Sequence, residues 1–299
     1  MRWTPTILAA LFLFGPVSAL SQGQGQVSAP EVPPTDTMAE EIGGVIRGGT
    51  KIEVVIPSVA GRGPGVTLQG TEGPIALPDG TAVFCETIVA RIRKIEQDKR
   101  ETVFVDAAVA GGPNGLTWDP KGRLIGATTA PGMVGVRVVY PKGSETMLAD
   151  NFEGKPFGRP NDLIADKKGG VYFTDPAPAN VSPALPPAVY YLPPSGAKVI
   201  RVVDNVNPNG VSLSPDDKIL YVNNGGAGYV LAFDVQNDGT LTNRRNFAKY
   251  EDLPVTDGRV VGGGDGFTVD TQGRLYTAAA GKIQVFTPQG KYLGSITPP

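Results

Sequence analysis

From residue 51 onward, short apolar runs alternate with turn sequences. The pattern predicts strands at 52–56, 81–85, 122–127, 134–140, 170–174, 219–222, 228–234, 274–278 and 282–287. No stretch keeps a 3.6-residue apolar period over about a dozen positions, so helices are expected to be scarce. Four of the turns read alike: Asp119-Pro120-Lys121-Gly122, Asp166-Lys167-Lys168-Gly169, Ser214-Pro215-Asp216-Asp217 and Asp270-Thr271-Gln272-Gly273. In such turns Asp or Ser bonds the backbone two residues on, Pro presets φ, and Gly accepts φ > 0. Pro78-Asp79-Gly80 is a degenerate fifth copy.

The turns belong to a longer repeat. Five residues before each turn stands a side chain with oxygen: Glu72, Asn114, Asn161, Asn209 and Asp265, at gaps of 42, 47, 48 and 56 residues. That period is the length of a β-propeller blade, not of a helical solenoid unit. Equivalent positions in successive blades surround one axis, so these five oxygens are expected to converge on the channel mouth. Asn-Gly and Asp-Gly are common turn dipeptides. However, the residue after the oxygen varies (Gly73, Gly115, Asp162, Gly210, Gly266), whereas a φ > 0 requirement would fix the glycine and not the oxygen. Glu72, Asn161, Asn209 and Asp265 are therefore read as metal ligands. A set of carboxylates and carboxamides with no sulfur or imidazole suits Ca²⁺ first, with Mg²⁺ or Zn²⁺ as other divalent choices. Asp162 is read as orienting Asn161 or capping a turn, and Asp175 as shaping the loop after its strand.

The fold class expected is all-β, a six-bladed β-propeller over 51–299. Six blades of this length need about 270 residues, more than 51–299 supply. The last blade is therefore expected to be incomplete or closed by the N-terminal strand. The seven prolines of 176–194 are expected to form a rigid rim or lid.

Composition narrows the chemistry. The chain has 299 residues and no histidine, which excludes Ser-His-Asp and Cys-His nucleophile systems and His-ligated zinc. One cysteine, Cys85, lies in an apolar run and reads as a buried structural residue. With 27 basic and 29 acidic side chains, no nucleic-acid or anionic-membrane surface is implied. At the N-terminus, Arg2, the apolar run 7–14 and Val17-Ser18-Ala19 fit an export signal over 1–19, followed by a flexible linker over 20–50. The mature protein is then expected to be periplasmic or extracellular, with no membrane span.

Several stretches together resemble the senescence-marker-protein/gluconolactonase/luciferin-regenerating-enzyme-like (regucalcin-type) family. They are Thr71-Glu72-Gly73-Pro74, Arg159-Pro160-Asn161-Asp162-Leu163, Pro208-Asn209-Gly210-Val211-Ser212, Gly264-Asp265-Gly266 and the closing Val285-Phe286-Thr287-Pro288. The resemblance implies a six-bladed propeller with a divalent cation, usually Ca²⁺, on its axis, and hydrolysis of sugar lactones or related esters. It implies Glu72, Asn209 and Asp265 as direct ligands and Asn161 as a ligand or a neighbour of water and substrate. Arg159, Asn114 and Asn161 are the substrate-binding candidates, and Asp265 the catalytic one, as general base or nucleophile. The partner expected is a small-molecule lactone or ester. Two other readings stand beside it: an esterase or phosphotriesterase on the same ring, and a propeller that binds calcium or a ligand without turnover.

Overall fold

A computed structural model describes residues 35–55, 60–61, 68–196, 198–256, 259–260 and 263–299. The segment read as an export signal and the first part of the linker, 1–34, lie outside the described residues, as does Ile56 at the end of the first predicted strand.

Five four-stranded antiparallel sheets follow one another along the chain, each a simple meander. Blade 1 is Thr71–Ala76, Ala82–Glu86, Arg91–Ile95 and Glu101–Val105; blade 2 is Pro113–Trp118, Leu124–Thr128, Gly135–Tyr140 and Thr146–Ala149. Blade 3 is Leu163–Ala165, Val171–Asp175, Ala188–Leu192 and Ile200–Val203; blade 4 is Pro208–Leu213, Ile219–Asn224, Tyr229–Val235 and Leu241–Lys249. Blade 5 is Phe267–Val269, Leu275–Ala279, Lys282–Phe286 and Tyr292–Ile296. The only helix among the described residues is the single turn Ala107–Ala110. The first strands pack against one another in chain order, from blade 1 through blade 5, and so form the inner wall.

The propeller thus has five blades where six were expected. Residues 71–296 hold the five sheets, and the described residues before Thr71 form only two-residue pairings and one isolated bridge, Ile42 to Ile46. Thr37–Met38 pairs antiparallel with Lys51–Ile52, and Ala60–Gly61 pairs parallel with Leu68–Gln69. The incomplete last blade expected, the sixth, does not form among the described residues; the four strands of blade 5 come from contiguous chain, and no described N-terminal strand joins that sheet.

The N-terminal segment has a different role. Each of four apolar clusters is shared by neighbouring blades; one example joins Ile125, Val136 and Val138 of blade 2 to Leu163, Phe173 and Tyr190 of blade 3. The fifth joins Tyr276, Ile283, Val285 and Ile296 of blade 5 to Ile42, with Val45, Ile46 and Ile52 against it. Residues 35–52 therefore cover the face of blade 5 that a following blade would otherwise bury, and Arg274 donates to the carbonyl of Gly44. Ile42, in the stretch read as linker, is 3% exposed.

The repeated turns fold as their sequences specify. Asp119 accepts from the N–H groups of Lys121 and Arg123 at 2.9 and 2.8 Å, Asp166 from Lys168 and Gly170 at 2.8 Å each, and Asp270 from Gln272 and Arg274 at 2.9 and 3.0 Å. Ser214 does the same for Ile219 at 3.0 Å. In blade 1, where Leu77 replaces the acid, Asp79 two residues on accepts from Thr81 at 2.9 Å instead. These turns fix the register of the first two strands and thereby the height of each axial residue.

Candidate active site

Every axial residue read from the sequence enters or precedes the first strand of its blade. Glu72 pairs across blade 1 with Cys85. The N–H of Asn161 donates to Thr174 at 2.9 Å, and that of Asp265 to Ala278 at 2.8 Å. Contact then passes from blade to blade. Gly210 donates to the carbonyl of Asp265 at 3.2 Å, and a side chain at 210 would overlap that oxygen. A side chain at 115 would likewise run into Asn161 and Asp162. At 115 and 210 the glycine after the axial oxygen is therefore required by close approach to the next blade, whereas Gly266 meets no such neighbour. Neither Gly115 nor Gly210 has positive φ, so a turn requirement is not the reason for it.

In blade 3 the equivalent residue is Asp162. Its carboxylate accepts from Leu163 at 2.9 Å and from Val211 of blade 4 at 2.9 Å. It therefore joins two inner strands, a larger role than orienting Asn161. Asp175 shapes its loop as read: its carboxylate accepts from Gly158 at 2.9 Å and Arg159 at 2.7 Å. The Arg159 side chain is exposed and makes no ion pair among the described residues. The proline-rich segment is interrupted by the strand Ala188–Leu192. Only 176–187 follows the axial end of blade 3, anchored by buried Leu185 in the blade 2–blade 3 cluster. Pro193 and Pro194 belong to the turn at the other end of the strand.

The electrostatics bring the acids together. Burial pushes the Asp162 carboxyl up to about 7, against the N–H bonds of Val211 and Leu163, and the charge of Asp265 adds to the rise. Burial also raises Asp265, opposed by the Asn209 side chain and the N–H of Gly266. Cys85, fully buried, is pushed well above the usual thiol range by desolvation first, and then by the charges of Glu72 and Asp162. Asp162 therefore lies in the field of Asp265, Glu72 and Asp162 both lie near Cys85, and Asn209 stands beside Asp265. Asn114 is buried, and neither its carboxamide nor that of Asn161 has a hydrogen-bond partner among the described residues.

This donor set fits a hard divalent cation. All the groups are oxygens, two carboxamides are unengaged, and two carboxylates are held above their ordinary pKa in a way a nearby positive charge would reverse. Among the described residues no three acidic, cysteine or histidine side chains converge closely enough to hold a metal by themselves. A site here depends on the carboxamides.

Sequence reading missed three residues that surround these groups: Thr174, Asn223 and Tyr250. Thr174 and Asn223 are fully buried. They occupy second-strand positions where blades 1 and 5 carry Cys85 and Ala278, and aligning the blades would have exposed that contrast. Gly264 packs against Tyr250 and Asn223, where any side chain would collide.

The fold and site define a β-propeller whose inner strands carry carboxylate and carboxamide side chains and no imidazole. Residues 70–299 match the family model described as SMP-30/Gluconolactonase/LRE-like region, so the chain belongs to that family. It is 30% identical over 254 residues to a gluconolactonase of Zymomonas mobilis, covering 77% of this chain and 70% of that one. Among solved structures, a Xanthomonas campestris gluconolactonase aligns at 30% identity and TM-score 0.65, covering 78% of this chain and 79% of the other. The calcium-binding protein regucalcin from Agrobacterium tumefaciens aligns at 18% identity and TM-score 0.60, covering 78% and 75%, and shares the fold.

Proposed function

We propose that this protein is an exported, divalent-cation-dependent lactonase that opens a sugar lactone of the aldonolactone type. The observation that carries the reading is Asp265: a desolvated carboxylate of raised pKa, beside Asn209 and with its charge felt by Asp162, in a propeller whose relatives include gluconolactonases.

Glu72, Asn209 and Asp265 would hold the cation, Ca²⁺ by donor type, with Asn161 as a further ligand or a neighbour of the substrate. A bound divalent cation supplies Lewis acidity toward the lactone carbonyl and stabilises the charge that develops on its oxygen. Burial makes Asp265 a stronger base than an exposed aspartate, and Asn209 orients its carboxylate. Asp265 removes a proton from a water as that water's oxygen bonds to the carbonyl carbon. The ring C–O bond then breaks, and the proton passes to the departing ring oxygen, giving the open hydroxy acid. Arg159, whose backbone N–H is held by Asp175, and Asn114 would contact substrate hydroxyls.

The test is a panel of aldonolactones followed by proton release. The lactonase reading expects turnover that Asp265→Asn removes. Turnover of phosphotriesters alone, or cation binding without turnover, would replace it with one of the two other readings. Export is tested by the N-terminal sequence of the mature protein, expected to begin near residue 20.

A further inference from the structure

The axial residues of blades 4 and 5 are held by side chains of the preceding blade. The Thr174 hydroxyl donates to the backbone carbonyl of Asn209 at 2.7 Å and accepts from the N–H of Asp162 at 3.0 Å. The other acceptor within reach of its single proton, the carbonyl of Asp162, is at 3.4 Å, so the Asn209 bond is the one made. One blade further on, the carboxamide of Asn223 donates to the backbone carbonyl of Asp265 and to Thr277 Oγ1, the latter at 3.2 Å, while its oxygen accepts from the Tyr250 hydroxyl.

These are the same contact made twice. A buried polar side chain on the second strand of one blade bonds the main-chain carbonyl of the next blade's axial residue. At this position blades 1, 2 and 5 carry Cys85, Ala127 and Ala278, and a buried thiol or a methyl group cannot donate comparably. The device is therefore confined to Asn209 and Asp265, two of the three residues read as direct cation ligands. These two buried polar groups follow the apolar runs Val171-Tyr172-Phe173 and Leu220-Tyr221-Val222 and add nothing to apolar packing. Each directs a hydrogen bond to the carbonyl of an axial residue.

We propose that Thr174 and Asn223 are positioning residues that set the height and rotation of Asn209 and Asp265 for cation binding, an inference that rests on the cation-dependent reading above. Groups behind a metal ligand characteristically change affinity by about 10- to 100-fold when removed. The bond from Thr174 reaches the main chain of the ligand residue and so governs where its side chain can point.

The experiment is calorimetric Ca²⁺ titration of chelator-stripped protein, with an unfolding midpoint measured in chelator for each variant. Thr174→Val and Asn223→Leu are expected to weaken Ca²⁺ binding roughly tenfold or more. Thr174→Ser, which keeps the hydroxyl, is expected to restore affinity to about twofold of wild type. Val171→Ala, on the same strand as Thr174, should lower the midpoint and leave affinity unchanged, which separates positioning from general loosening. If Thr174→Val does not fold, Thr174→Cys places in blade 3 the residue that blade 1 accepts at this position, and the same loss of affinity is expected. Wild-type binding with unchanged affinity in both Thr174→Val (or Thr174→Cys) and Asn223→Leu would overturn the positioning role alone. Absence of Ca²⁺ binding by the wild type would overturn the cation reading and this inference with it.

Discussion

The carboxylate of Asp162 in blade 3 accepts the N–H of Val211 in blade 4 at 2.9 Å, two residues beyond Asn209. A single buried acid thus couples the inner strands that carry two axial carboxamides. Its ionisation is costly, because burial outweighs the two N–H bonds that favour the charged form.

That cost sets a pH dependence. The folded-state pKa of Asp162, about 7, lies above its unfolded value. The penalty is therefore absent below the ordinary aspartate range and grows as pH rises from about 4 through 7. Asp265 shifts in the same direction. Chelator-stripped protein is expected to be less stable at pH 7.5 than at pH 5.5 by on the order of a few kcal/mol, with Asp162→Asn flattening the slope. Urea unfolding at the two pH values measures this.

The same shifts make cation binding compete with protons. A cation beside Asp265 favours the ionised forms of both acids, so Ca²⁺ affinity should rise as pH increases across this window and binding should release protons. Titration in two buffers of different ionisation enthalpy reads the proton count directly. A count of zero at pH 6 would mean that neither acid faces the ion.

Asp265→Asn keeps the size of the side chain and removes its basicity. Turnover of an aldonolactone is expected to fall by about 100- to 10,000-fold, with a far-ultraviolet spectrum unchanged from wild type. Full activity in this variant would remove Asp265 from the proton transfer.

The N-terminal segment is expected to be part of the folded unit. Ile42→Ala deletes buried volume between residues 35–52 and blade 5, and should cost about 2–5 kcal/mol in urea unfolding. A loss below about 0.5 kcal/mol, the range of ordinary surface substitutions, would mean that the segment does not pack there in solution.

Much of this was readable from the chain, because strand, turn and axial oxygen recur with one spacing. Asp119, Asp166 and Asp270 specify the same turn by the same bonds, Ser214 closes a turn one residue longer, and locating all four locates the strands on either side. The blade number was not readable. It depended on how residues before Thr71 are used, and there Ile42, Val45, Ile46 and Ile52 are scattered apolar residues in a glycine-rich stretch with no period of their own. They pack on blade 5 without adding a strand to its sheet, an arrangement that tertiary contact decides and local pattern does not. The axial residues could be found by their own repeat, whereas Thr174 and Asn223 stand out only when the second strands of the blades are aligned. Their role is not visible until the register places them behind the next blade's carbonyl.

The most direct test of the central claim is hydrolysis of aldonolactones, followed by proton release, by protein stripped with chelator and then given back Ca²⁺. Activity is expected to be lost on stripping and restored on readdition, with Asp265→Asn inactive in both states. Undiminished turnover in the stripped protein would contradict a cation-dependent mechanism at the axis. No turnover of any lactone, despite Ca²⁺ binding, would contradict the lactonase assignment itself.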